Sequence, residues 1–189
     1  KILQQEFIPQ LKSLYPGYSR EQLERTASSQ ASAYAKSLLG KYGLVDRRLY
    51  LMPKNLEPLF RLARVDEKHT QPVIKLVIAH ELTHALQAQE MDLKQIWNIT
   101  GQDELNAFSA AIEGHAVFVQ DRVGKILGLE DTAIELSRLL SAGAVTFDDP
   151  AKELVASSSP HDSNRFTWAA RSSLNIIISR AEMKEFGRS

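Results

Sequence analysis

The sequence predicts an α+β fold, mostly α-helical, in a single domain over residues 1–189. Three observations carry that expectation. Apolar residues recur at helical spacing between cap signals along most of the chain, one short segment has strand character, and no Gly/Ser- or Pro-rich linker divides it. The composition agrees, with 43% hydrophobic and 24% charged residues, ordinary usage for a chain that buries a core.

Taken in order, Ser19 and Gln22 form a capping box. It opens a helix through Leu23, Ala27, Ala31 and Tyr34 that is expected to stop at Gly40. Between Tyr42 and Met52, two short β-prone runs flank a polar Asp46-Arg47 centre, the pattern of a hairpin. Pro53 ends it, and Leu56 to Ala63 reads as a short helix. Thr70 as N-cap and Pro72 in the first turn then open a helix containing Val73, Leu76, Val77, His80, His84 and Leu86. A long helix rich in small residues follows from Asp103 to about Leu127. Asp131 to Leu140 reads as helix, Val145 to Pro160 as loop, and Ser163 to Arg180 as a last helix.

Several classes of function are disfavoured by composition. Lys+Arg and Asp+Glu number 23 each, so the formal net charge is zero, and the basic excess of a nucleic-acid binder is missing. There is no cysteine, which removes disulfides, thiolate metal sites and Cys nucleophiles together. No apolar run approaches the roughly 18–20 residues that span a bilayer. The chain begins at Lys1. The expected address is extracytoplasmic, with an N-terminal targeting segment outside this chain, and a cytoplasmic address is the alternative.

One pentapeptide carries chemistry. His80-Glu81-Leu82-Thr83-His84 matches H-E-x-x-H. Residues four apart share a helix face, so both imidazoles reach one ion, and neutral imidazole is a good zinc ligand. Glu81 projects about 100° around the helix, beside the ion rather than on it, where a carboxylate takes a proton from a zinc-acidified water. No charge or proline interrupts Val77 to Leu86 apart from Glu81 and the histidines, so this helix is expected to be buried. Two core histidines satisfied by hydrogen bonds are the plainer alternative, and burying two His and a Glu within five residues is costly without a partner.

Here the chain resembles the zincin metallopeptidases, which implies a zincin-like core with a small β element before the metal helix. The metzincin extension is absent, because Gln87 and Glu90 stand where its Gly and third His would be. That leaves the gluzincin branch, with a glutamate ligand on a downstream helix. Glu104 has the interval from His80 seen in thermolysin-like enzymes, although Phe108 replaces their following Asp. Glu113 begins Glu113-Gly114-His115-Ala116, similar to the E-G-x-A signature of gluzincin aminopeptidases and of a group of bacterial HExxH proteins. Nine residues at about 100° each put the two glutamates on opposite faces, so both cannot bind.

Glu113 is the favoured ligand, with Gly114 expected to let the backbone approach the metal helix and Asp121 expected to orient a ligand. A three-histidine site using His115 is a minor third option. The resemblance further implies a donor for the oxyanion, for which His161, with Arg165 behind it, is the candidate; a capped helix start with an exposed His161 is the alternative. It also implies a substrate strand, for which Arg48 to Met52 is the candidate edge. The G-x-M-E-N motif that captures a free substrate amine is absent. The expected activity is therefore that of a zinc-dependent, endopeptidase-like hydrolase acting on a peptide or protein substrate. The alternative is a non-catalytic, zinc-stabilised scaffold of the same shape.

Overall fold

The computed structural model describes residues 1–136, and helices dominate them. Helix α1 (Ile2–Leu14) was not expected from the sequence; Pro9 lies inside it and no side chain caps its start. Tertiary packing supplies what the local signals lack. Leu11 of α1 is buried against Leu23 and Ala27 of α2 (Arg20–Ser37), with Phe7, Ile8, Tyr15 and Tyr18 around them. The capping box of α2 is present, Gln22 N donating to Ser19 Oγ at 3.2 Å and Ser19 N to Gln22 Oε1 at 2.7 Å. This helix ends at Ser37, before the expected stop, because Gly40 already belongs to a strand.

The hairpin exists but starts earlier than its sequence pattern. Strand β1 (Gly40–Tyr42) pairs antiparallel with β2 (Leu49–Leu51), Gly40 opposite Leu51 and Tyr42 opposite Leu49. In its connection, Asp46 accepts from the Tyr50 hydroxyl and, at 3.3 Å, from Arg48 N. A 3-10 turn (Pro53–Asn55) leads into α3 (Leu56–Ala63), which Arg64 terminates in the left-handed conformation. Asn55 Nδ2 donates to the carbonyls of Ala35 (2.8 Å) and Leu38 (2.6 Å), fastening this turn to the end of α2.

Helix α4 (Thr70–Glu90) carries the pentapeptide. Thr70 is not its N-cap as expected but its first helical residue; the cap position is His69, whose side chain makes no cap hydrogen bond. The capping occurs one turn earlier, where Asp66 accepts from Lys68 N at 2.9 Å and opens a 3-10 turn (Glu67–His69) that runs straight into α4. After a second 3-10 stretch (Leu93–Asn98), α5 (Gln102–Ile126) returns along α4. The two run antiparallel: Gly124 meets Leu76 near one end, and Gln87 meets Ile112 towards the other. Ala116 is wholly buried in α5, and such small residues permit a close helix approach.

The main core gathers Leu39, Leu56, Phe60, Val65, Val73, Leu76, Val77 and Leu136 around the first half of α4. Leu136 belongs to a further helix that starts at residue 130, consistent with the start of the expected 131–140 helix. The remainder of that helix, the expected 145–160 loop and the 163–180 helix lie outside the described residues. Helix α1 braces the hairpin through Glu6, which is buried, pairs with Lys41 Nζ at 2.7 Å and accepts from Leu44 N at 2.7 Å. The observed fold is thus mostly α with a small antiparallel sheet. Among the described residues, no helix is long and apolar enough to cross a membrane.

Candidate metal centre

The face of α4 that meets α5 presents His80 and His84, one turn apart. Their Nε2 atoms are 3.2 Å from each other. From α5, Glu113 brings Oε2 to 3.2 Å from His80 Nε2 and Oε1 to 3.6 Å from His84 Nε2. Among the described residues no fourth His, Cys, Asp or Glu joins this group.

These distances can be tested against a metal. Four ligands at zinc distances of about 2.0–2.1 Å form a tetrahedron whose edge is about 3.3 Å. The observed separations of 3.2, 3.2 and 3.6 Å bracket that edge. Three acceptors converging on one face of such a tetrahedron leave a fourth corner, the arrangement of sites that keep an open position. The side chains are 12%, 13% and 24% exposed for His80, His84 and Glu113, so the group is sheltered yet reachable from the Glu113 side.

Electrostatics express the same convergence. Burial alone would lower the His84 pKa, but the hydrogen bond and charge of Glu113 outweigh it and hold the imidazole above its usual value. Burial would likewise raise the Glu113 pKa, and the hydrogen bonds of His80 and His84 overcome it, taking the carboxylate well below the ordinary range. Without a metal, hydrogen bonds from the two imidazoles offset the burial of Glu113. A divalent cation would do so for all three at once.

Glu81 belongs to the same helix and is buried, but its carboxylate faces the hairpin. Oε2 accepts from Tyr42 N at 2.6 Å. The approach depends on Gly40, where a Cβ would lie 2.5 Å from Val77 Cγ1 and 2.8 Å from Glu81 Cγ. The strand edge presented to Glu81 is therefore that of β1, whereas the expected substrate edge, Arg48 to Met52, belongs to β2 and its flanks. Beside β2, an apolar cleft is lined by Leu39, Leu51, Pro53, Leu56, Ile74 and Val77.

The remaining expectations divide clearly. Glu104 is exposed on α5 while Glu113 enters the group, the half-turn of helix phase separating them as anticipated. His115 stands apart: its Nδ1 is 3.1 Å from Gln87 Nε2 and it joins no ligand group. Gly114 does not mediate close packing, since nothing lies within 4 Å of a Cβ placed there; Gly124, against Leu76, holds such a position instead. Asp121 is half-buried on α5, and Gln87 Oε1 lies 2.8 Å from His84 Nδ1. Helix α4 is not buried all round, for Leu82 and Leu86 are 54% and 48% exposed. His161 and Arg165 lie outside the described residues.

Three residues of this environment escaped the sequence reading. In the sequence Gly40 reads as a helix stop, Tyr42 as a hairpin residue, and Gln87 as a departure from the metzincin pattern. A search of family models, curated proteins and solved structures finds no match to this chain.

Proposed function

We propose that this chain is a zinc-dependent peptidase of gluzincin type, in which His80, His84 and Glu113 hold the metal. The observation that carries the reading is the triangle of 3.2, 3.2 and 3.6 Å between their ligand atoms. Zinc bound there would acidify a water and polarise the scissile carbonyl. Glu81 is the general base: it takes the proton of the attacking water and returns it to the departing amine. The Tyr42 N–H bond holds Oε2, which leaves Oε1 as the oxygen that would transfer the proton. Burial shields the proton from bulk water.

The same hydrogen bond favours a second reading. A buried glutamate that ties α4 to β1 is also what a zinc-stabilised scaffold would keep, with no catalysis. Glu81→Gln separates the two, because the amide oxygen can still accept from Tyr42 N and no ligand is removed. The peptidase reading expects zinc to remain bound and chelator-sensitive cleavage of unstructured protein or a peptide library to fall about 10²–10⁴-fold, the usual cost of losing a general base. Full zinc occupancy with no cleavage by either form favours the scaffold.

A further inference from the structure

Gln87 is 2% exposed, one of the largest fully buried side chains among the described residues. Its Nε2 lies 3.0 Å from the carbonyl oxygen of Ile112, and a carbonyl can only accept. That contact fixes which end of the amide is nitrogen. The oxygen must then be the end 2.8 Å from His84 Nδ1. An amide oxygen can only accept, so Nδ1 carries the hydrogen, and in the neutral ring the Nε2 lone pair of His84 is directed at His80 and Glu113. The second hydrogen of Gln87 Nε2 is directed at His115 Nδ1, 3.1 Å away. Each polar atom of the amide therefore has a partner, and two of those partners are on α5.

We propose that Gln87 is the positioning residue of the centre. It selects the Nδ1–H tautomer of neutral His84 and, through the carbonyl of the residue preceding Glu113, holds α5 in register with α4. One amide thereby fixes a ligand from each helix. The assignment rests on the metal reading only for its purpose; the tautomer is a property of the metal-free protein. Without Gln87, His84 would be free to place its hydrogen on Nε2, and a metal would first have to displace it.

Long-range ¹H–¹⁵N NMR of His84 in metal-free protein, above its pKa, tests the assignment. The native chain should show the Nδ1–H form and Gln87→Leu a shift towards Nε2–H. Zinc affinity should fall about 10–100-fold in Gln87→Leu, the usual effect of losing a group that orients a ligand. Gln87→Glu keeps an acceptor for His84 Nδ1–H but loses the donor to the Ile112 carbonyl, so it should recover the tautomer without the full affinity, which a merely space-filling role would not give. Native His84 in the Nε2–H form overturns the proposal, even if Gln87→Leu fails to fold. So does a well-folded Gln87→Leu with unchanged tautomer. Native protein with the Nδ1–H form that binds no zinc supports the positioning role and defeats the metal reading instead.

Discussion

Gly40→Ala tests whether the approach of β1 to α4 is what holds Glu81. Gly40 lies in a strand without a left-handed φ, so its backbone is open to alanine and only the contact opposes it. A Cβ there would sit 2.5 Å from Val77 Cγ1 and 2.8 Å from Glu81 Cγ, against a normal carbon contact of about 3.5–4.0 Å. The strand must retreat by about 1 Å, or both side chains must turn. A retreat of about 1 Å would stretch the 2.6 Å bond from Tyr42 N to Glu81 Oε2 beyond hydrogen-bond length. Overpacking costs about 1–3 kcal/mol and a lost bond to a buried carboxylate about 1.5–3 kcal/mol. One movement relieves the first by incurring the second, so the terms overlap. After the reduced freedom of the unfolded chain offsets about 0.4–1 kcal/mol, a net loss of about 2 kcal/mol remains.

Calorimetry of metal-free protein should therefore show Tm lowered by about 4–8 °C. Zinc stoichiometry should persist, because Gly40 touches none of His80, His84 and Glu113. On the peptidase reading, cleavage should fall at least about 10-fold, since an ångström of misplacement at a reacting group is costly. Gly114→Ala is the control: nothing lies within 4 Å of its added Cβ, and helix propensity should stabilise it by up to about 1 kcal/mol. A Gly40→Ala protein with native Tm and cleavage would refute the reasoning.

The ligand assignment predicts that Glu113→Ala weakens zinc by about 10²–10³-fold, roughly one ligand's share of a structural zinc site, while Glu104→Ala leaves it unchanged; competitive chelator titration reads both, and the reverse order would move the site to the other face of α5. The pKa shifts predict how zinc stabilisation varies with pH. His84 is raised, so its contribution to metal-free stability is full below about 6.5, its unfolded value, and is lost as pH rises through the folded value. Glu113 is lowered, so its contribution is present above about 4.5 and is lost only as pH falls through the depressed value. Between pH 5.5 and 8 the metal-free protein loses the His84 term while zinc meets less competition from its proton, so the Tm gain on adding zinc should grow across that window. A flat or falling gain would exclude the linkage.

What could be read from the sequence was set by the range of the interactions. The capping box at Ser19 and Gln22 is complete within one turn, and the structure reproduces it. So is the placement of His80 and His84 on one face, which follows from helix pitch alone. Helix α1 left no such trace. Its start lacks a capping side chain and Pro9 interrupts its pattern; what holds it is the packing of Leu11 on Leu23 and Ala27, together with Glu6 reaching Lys41 and Leu44. These partners are known only once the chain has folded. Thr70 shows the converse error: a good capping residue next to a helix start is displaced when Asp66 has capped a 3-10 turn just before it.

At the centre itself, phase along one helix excluded a ligand more securely than spacing between helices could choose one. Nine residues of rotation separate Glu104 from Glu113 whatever the tertiary fold, so selecting either face settles both. Which face turns inward depends on α4, where Leu76 packs against Gly124 and Gln87 bonds the carbonyl of Ile112. Gly40, Tyr42 and Gln87 act across such long-range contacts, and each has an ordinary local reading as a helix stop, a strand residue or a polar helix position. Only one signal could have marked Gln87 beforehand. It follows His84 by three residues, on the same face of an otherwise uncharged helix, where a buried amide needs partners for three hydrogen bonds. A histidine ring nitrogen one turn back is the nearest acceptor or donor available to it.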